Sequence, residues 1–589
     1  MRYTLNCTKN WLAFFFLLFV SKAYSQSVAI NTDGSTAHSS AIVDIKSTSK
    51  GLLIPRMTST ERTAIASPAQ GLFVFDLTTN SFWYYNGTAW NNLAQQASAP
   101  SAVWMLNGNS GTNPSTDFVG TTDGQPLIFR VKNLPSGIID SAKSNTAFGF
   151  ISLPSNTGFL NAGFGYRTLF SNTSGHYNTA LGAYSLTSNT NGNENTAVGT
   201  GALEFGTSGT ENTALGFLSG QNTIGSSNVS IGSRALFLNT AGSSNVAIGI
   251  TALYSNTSSN NLVAVGDGAL YSNTDGRANT AIGSKALYSN TDGFYNTSLG
   301  FESLYTNASA GDNTAIGYKA LYHTTSGSNT AIGSLSLYSN TSGTHNTSIG
   351  YNSLWLNSDG YNNTAVGDNA LNNNSSGQGN VAIGFEALST NTSGNVNTAI
   401  GAQADVVFGN QINTTLLGHF AKAASSNKVR IGNAAVTVIE GQVAYTYPSD
   451  GRFKTNVTED IKGLDFIMKL RPVSYNFQTR KYEAFMSGGE ENAKAFAKLD
   501  FTESENLRHN GFIAQEVEKA AKEAGYDFDG LTTPKNERET YGLSYSQFVV
   551  PLVKAVQEQQ QQIDELKKEN AELKTFLLKM QKQIDEIKK

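Results

Sequence analysis

The sequence predicts a mainly β chain: a repetitive parallel β-roll or solenoid, then a C-terminal α+β domain ending in a coiled coil. Three observations predict it. A short unit recurs sixteen times through the centre of the 589 residues. Gly, Asn, Ser and Thr abound while only 14% of residues are charged, against roughly a quarter in ordinary soluble domains. After about residue 446 the repeat stops, charges become frequent and a heptad pattern runs to the end. Such a chain buries little apolar surface per residue unless its units stack.

The first 25 residues read as a secretory leader. Arg2 and Lys9 are followed by the ten-residue apolar run Trp11 to Val20 and by the small residues of Ala23-Tyr24-Ser25. That run is too short to span a bilayer. The only cysteine, Cys7, goes with the leader, so the expected mature chain has no thiol, no disulfide and no thiolate metal site. No later run reaches transmembrane length. The location implied is secreted, or cell-surface and outer-membrane-associated. The net charge of −4 gives no electrostatic reason to expect nucleic acid as a partner. The six histidines are scattered, so no metal and no cofactor are expected.

Residues 26–100 form a small β region. Gly71 to Asp76 and Ser81 to Tyr85 look like strands, and Asn86-Gly87 predicts a type I′ hairpin leading into Thr88-Ala89-Trp90. The aromatics Trp83, Tyr84, Tyr85 and Trp90 suit a small β core better than a sugar platform. Gly51 to Arg62, with this hairpin, resembles N-terminal modules of secreted proteins from Bacteroidetes-type bacteria, which implies export but no chemistry. Residues 101–143 are a connector.

Residues 144–406 carry the array, with the unit NTAIGxxALxSNTSGxx. Its lead asparagines run from Asn145 to Asn397, with Asn261 as the eighth, at spacings of 16 to 18 and mostly 17. A period this short leaves no room for a helical pair, and Thr, Ile and Val favour strands while Ser-Asn-Thr-Ser-Gly is turn chemistry. Each unit is expected to be one coil of two short strands and two turns, and sixteen coils would make a rod of roughly 75 Å. In Asn279 to Gly283 the alternation puts Thr280 and Ile282 on one face and Asn279, Ala281 and Gly283 on the other. The fourth-position Ile, Val or Leu is expected to point into the core. Stacked Asn and Thr ladders would account for the many Asn-x-Ser/Thr sequons without glycans. The units resemble the head repeats of trimeric autotransporter adhesins, which implies a left-handed parallel β-roll and a homotrimer. A second connector spans 407–446.

Residues 447–589 form the C-terminal module, with the coiled coil over about 549–589. Its seam runs Val556, Gln559, Ile563, Leu566, Asn570, Leu573, Leu577, Met580, Ile584 and Ile587, alternating three and four without a slip. Gln559 and Asn570 are polar seam positions that would fix register. Upstream stand Ser449-Asp450-Gly451-Arg452-Phe453-Lys454, Leu470 to Tyr475, His509 to Val517, and Gly542 to Tyr545. Together these motifs resemble the intramolecular chaperone domain of phage endosialidases and tail spikes, the peptidase S74 family. That family often has Leu where Phe453 stands. The resemblance implies a module that trimerises, guides assembly of the β-rich fibre before it, and then cuts itself off. The family's serine and lysine map onto Ser449 and Lys454, and the expected cut lies between Pro448 and Ser449. Asp450, Arg452, His509 and Gln515 are supporting candidates. A serine hydroxyl needs a base, and a lysine serves only when neutral, hence partly buried or beside another cation such as Arg452.

The function implied is a secreted or surface fibre, adhesin-like or tail-fibre-like, whose C-terminal domain promotes trimeric assembly and cleaves itself once, in cis, before Ser449. The alternative is an uncleaved adhesin with that domain as a trimerisation foot. A host or environmental glycan or surface is the external partner considered. A carbohydrate-active enzyme is disfavoured, because the array is poor in the carboxylates such chemistry needs.

Overall fold

The computed structural model describes residues 27–93, 106–488 and 499–588. The leader expected over 1–25 lies outside them. The chain divides into two units, Met1–Gly120 and Thr121–Lys589.

In the first unit, Val28–Asn31 pairs in parallel with Val43–Lys46. A second sheet joins Arg56–Met57, Phe73–Asp76, Ser81–Tyr85 and Trp90–Asn92. Between its first two strands lies the helix Ser59–Ala64, closed by a reciprocal capping box of Thr58 and Glu61. Asp76 is fully buried and takes Arg62 Nε at 2.8 Å. Burial alone would raise its carboxyl, but bonds from Arg62, Ser59 and the Thr78 and Thr79 amides hold it well below the usual carboxylate range. The Arg62 guanidinium also lies 3.7 Å from the Trp83 ring centroid. That tryptophan face is therefore covered by its own chain, as a core reading of the aromatic cluster requires. The hairpin differs from the two-residue type I′ turn. Tyr85 pairs with Trp90, and the loop of Asn86 to Ala89 is held by the Asn86 side chain, which accepts from the Thr88 and Ala89 amides. An asparagine that can bond its own backbone competes with the tighter turn.

The second unit opens with an antiparallel meander, Leu127–Val131, Leu134–Asp140 and Asn145–Phe148. It pairs the leading edge of the array, which would otherwise be an open template. From Asn145–Phe148 onward every coil adds a three-residue parallel strand in register with the last, such as Thr280–Ile282 against Thr297–Leu299. The ladder continues beyond Asn397 through Thr415–Leu417 and Val429–Ile431. The body is thus a parallel β-solenoid. In the eighth coil the lead position falls to Leu262, one residue after Asn261: the Leu262 amide donates to Asn245 Oδ1 and the strand starts at Val263.

The core reverses the expected facing. Ala281 and its equivalents are fully buried, whereas Ile282 is 38% and Leu299 42% exposed. The residues that share a face are those the alternation predicts, but the alanine face is the inner one. The two walls of a coil lie too close for branched side chains from both. Alanine lines one wall, and leucine from the other (Leu287, Leu304, Leu321) fills the space between them.

The second wall is not a regular strand. Its residues alternate into the left-handed region, with Lys285 at φ +56° and Leu287 at φ +52°, yet it still bonds coil to coil: the Leu287 amide donates to the Ser303 carbonyl and Ser289 to Tyr305. A left-handed non-glycine residue costs on the order of 1 kcal/mol, and a β-branched one costs more. That explains why the inward residue here is leucine and not isoleucine or valine. Burial of the leucine, worth about 1.5–3 kcal/mol, offsets the strain. The glycine ending each strand is obligatory: Gly283 has φ +135°, and a Cβ there would lie 2.4 Å from the Gly300 carbonyl oxygen.

Two buried asparagine ladders close the corner. The Asn363 amide donates to Asn346 Oδ1 at 3.0 Å, and Asn346 Nδ2 donates to the Gly360 carbonyl at 2.8 Å. In the second ladder Asn357 Nδ2 reaches Asn340 Oδ1 at 2.7 Å and the same Gly360 carbonyl at 2.9 Å. These side chains are fully buried, so the two sequons among them, at Asn340 and Asn346, serve backbone satisfaction rather than glycosylation.

The C-terminal α+β region packs on the end of the ladder. Ala434 N–H donates to Glu483 Oε2, Arg430 Nη1 to Tyr482 Oη, and Asn536 Nδ2 to the Ala424 carbonyl. Its own core gathers Phe466, Val517, Ala520, Ala521, Ala524, Phe528 and Phe548. A 39-residue helix, Val549–Ile587, ends the chain. Among the described residues it is tied down at its start, through Pro551, Ala555 and Glu558, whose Oε2 accepts from the Leu464 amide at 2.7 Å. Beyond that point the whole apolar seam is exposed, from Val556 at 62% to Leu577 at 55%. No helix among the described residues is long and apolar enough to cross a membrane.

Candidate self-processing site

The Ser449–Lys454 segment folds on itself through local bonding. Asp450 N-caps the 3-10 turn Gly451–Phe453 by accepting from the Arg452 amide at 2.9 Å. The same carboxylate takes the Arg452 guanidinium through Nε at 3.0 Å and Nη2 at 2.6 Å. These bonds hold the Asp450 carboxyl below its ordinary range and Arg452 above its own. The turn brings its two ends together, and Lys454 Nζ donates to Ser449 Oγ at 2.8 Å. Both side chains are exposed.

The other supporting candidates are placed differently. Arg452 turns to Asp450 instead of lending a positive charge to Lys454. His509 lies on Arg508–Gly511, stacked on Tyr475 of the paired strand at 5.7 Å. Gln515, second in the helix Ala514–Glu523, lines a separate cavity of about 670 Å³ with Phe512, Tyr541 and Tyr545. Among the described residues, no hydrogen bond ties either residue to Ser449 or Lys454.

The remaining motif residues hold one another. Tyr545 Oη accepts from the Phe512 amide at 3.0 Å, and a Cβ on Gly511 would fall 2.1 Å from that oxygen. Arg471 Nη2 pairs with Glu516 at 2.5 Å. The three downstream motifs thus build a scaffold, and only the first carries the serine and lysine. Apolar side chains flank that first motif in full solvent: Tyr445 is 84%, Tyr447 72%, Phe453 83% and Val457 80% exposed.

Residues 449–526 match the family model described as "Chaperone of endosialidase", which begins on Ser449 itself. Residues 29–112 match the one described as "Phage tail like trimerisation region". The aromatic hairpin of that region looks like any small sheet, so its sequence signals a β core but not trimerisation. Among solved structures, the collagen-binding domain of the Yersinia adhesin YadA aligns at 16% identity over 38% of this chain and 75% of that one, with a TM-score of 0.15. No curated protein matches the chain. The chain is therefore similar to phage-tail trimerisation regions near its start and to endosialidase chaperones near its end, with a parallel β-solenoid between them.

Proposed function

We propose that this is an exported fibrous protein whose C-terminal region assembles three copies and then severs the Pro448–Ser449 bond. The observation that carries the reading is the 2.8 Å contact between Lys454 Nζ and Ser449 Oγ, one residue after the bond to be cut. A neutral Lys454 takes the hydroxyl proton as Oγ adds to the Pro448 carbonyl carbon. The tetrahedral adduct collapses with loss of the Ser449 nitrogen, which receives that proton. Water then hydrolyses the resulting ester, leaving a Pro448 carboxylate and a free Ser449 amine.

Trimerisation is supported by two unpartnered apolar surfaces. One is the strand face of the array, where Ile282, Leu299, Ile349, Ile383 and Ile400 are each 37–43% exposed and line up coil after coil. The other is the heptad seam of the terminal helix. Further copies of the same chain match both in length and period.

Lys454 is exposed in the single chain, with its amine open to water. That favours a second reading, an uncleaved trimerisation foot, unless assembly buries the lysine. Mass spectrometry of purified protein decides between them. Cutting predicts a fragment of residues 449–589, absent from Ser449→Ala and Lys454→Arg variants that still trimerise. Full-length wild-type trimers would leave the foot and remove the protease.

A further inference from the structure

Eight consecutive coils carry an aromatic residue at one outward position: Phe237, Tyr254, Tyr271, Tyr288, Tyr305, Tyr322, Tyr338 and Trp355. The first seven rings stack nearly parallel, at 4–20°, with centroids 5.0–5.3 Å apart. The rings are half-buried. They follow the inward leucines and so lie on the opposite wall from the threonine–isoleucine strand face.

The fold does not require them. Thr187, Glu204, Gln221 and Asn372 occupy the equivalent position in other coils, where each carbonyl accepts the same inter-coil bond. The main chain is satisfied whichever side chain is present. The ring faces cover one another, so a ligand meets the ring edges and hydroxyls. Successive hydroxyls repeat with the coil, too far apart to bond each other. None has a hydrogen-bond partner among the described residues. The ladder is bordered by charge: Glu302 stands between Lys285 Nζ at 3.8 Å and Lys319 Nζ at 3.4 Å, and Lys319 lies 5.1 Å from the Tyr322 ring.

We propose that this tyrosine ladder is a binding surface for an extended β-1,4-linked polysaccharide, one sugar residue per coil. The ladder's spacing is close to the advance per residue of such a chain, as in cellulose or chitin. A straight ribbon therefore runs along the row and can meet a hydroxyl at each of several neighbouring coils. An α-1,4-glucan coils away from a straight row and loses register. One hydroxyl contact is weak, and the row acts by summing several along one rigid axis. The proposal extends the fibre reading above and does not depend on the cut.

The test is co-sedimentation of the purified full-length protein with microcrystalline cellulose, α-chitin and insoluble amylose. Binding to cellulose or chitin but not to amylose is expected. A Tyr271→Phe, Tyr288→Phe, Tyr305→Phe variant keeps the stack and loses three hydroxyls. Its binding should weaken at least about tenfold, the size expected for a few lost hydrogen bonds, with an unchanged melting curve. Failure to bind either β-1,4-glycan, equal binding to amylose, or undiminished binding by the variant overturns the proposal. Sedimentation equilibrium on the same samples reads the trimer separately, so the fibre reading can stand while the ladder proposal falls.

Discussion

Asn346 shows how one side chain can carry a repeat. Its amide oxygen satisfies the Asn363 N–H and its nitrogen satisfies the Gly360 carbonyl, all away from water. Asn346→Ala removes both bonds and leaves the buried Asn363 N–H unpaired, while the Gly360 carbonyl keeps its bond from Asn357. A loss of about 1–3 kcal/mol is expected, readable as an earlier first transition in chemical unfolding. Asp405 marks the end of the regular array in another way. It is buried where the repeat breaks down, and accepts from Thr390 N and Oγ1 and from Ser389 Oγ. Desolvation raises its carboxyl to about 6, with Lys422 and these bonds opposing. The folded chain then binds a proton that the unfolded chain has already released. Stability from this group is highest below about pH 4 and falls as pH rises through about 6. Glu483, also raised by burial, acts in the same sense. Asp405→Asn should flatten most of that slope and raise the melting temperature at pH 8 more than at pH 5.

At the scale of the element, period and chemistry were legible but direction was not. A 17-residue spacing with Thr-Ala-Ile centres leaves little besides a stacked strand. Yet a three-residue strand says only which residues share a face, not which face looks inward. The distance between the walls decides that, and it belongs to the folded coil. The second wall was misread as a strand because its leucines adopt left-handed backbone. The available signal was the persistent leucine where a strand would also admit isoleucine or valine. The eighth coil was misread by one residue because Asn261 stands beside Leu262, and only the bond to Asn245 settles the register. At the candidate site, the serine and lysine were legible because a five-residue turn is local. Asp450 capturing Arg452 was not, since an i, i+2 carboxylate can pair or cap as the turn dictates. The reversed facing has a testable consequence. Ile349 and Ile383 lie outside the coil core, so Ile349→Asp with Ile383→Asp should leave the single chain folded. The same pair would put charge into the surface that copies bury, at a cost of several kcal/mol per trimer. A lower trimer melting point with unchanged far-UV circular dichroism is the expected result.

At the scale of the whole molecule, two features of the C-terminal region point to a sequence of events. The terminal helix can pair without help from the array, because its seam is exposed along its length and its few anchors lie in the first turns. The serine–lysine contact exists in one chain, but its lysine is solvated and its neighbours Tyr447, Phe453 and Val457 are uncovered. A lysine serves as a base only where burial disfavours its charged form. In the proposed trimer, copies brought together by the coil would supply apolar cover where a single chain has none, so assembly should gate cutting. Parallel strands pair slowly even between neighbouring coils, and a bond that breaks only after three chains have docked would not release the module early. Leu566→Asp with Leu573→Asp in the full-length chain puts two charges into the seam without touching residues 445–457. That variant should stay monomeric and full length, with its Ser449–Lys454 turn intact. Raising the concentration of wild-type protein should speed the appearance of the 449–589 fragment until trimers saturate. Cutting at an unchanged rate in the monomeric variant would mean that one chain completes the site alone, and assembly gating would be wrong.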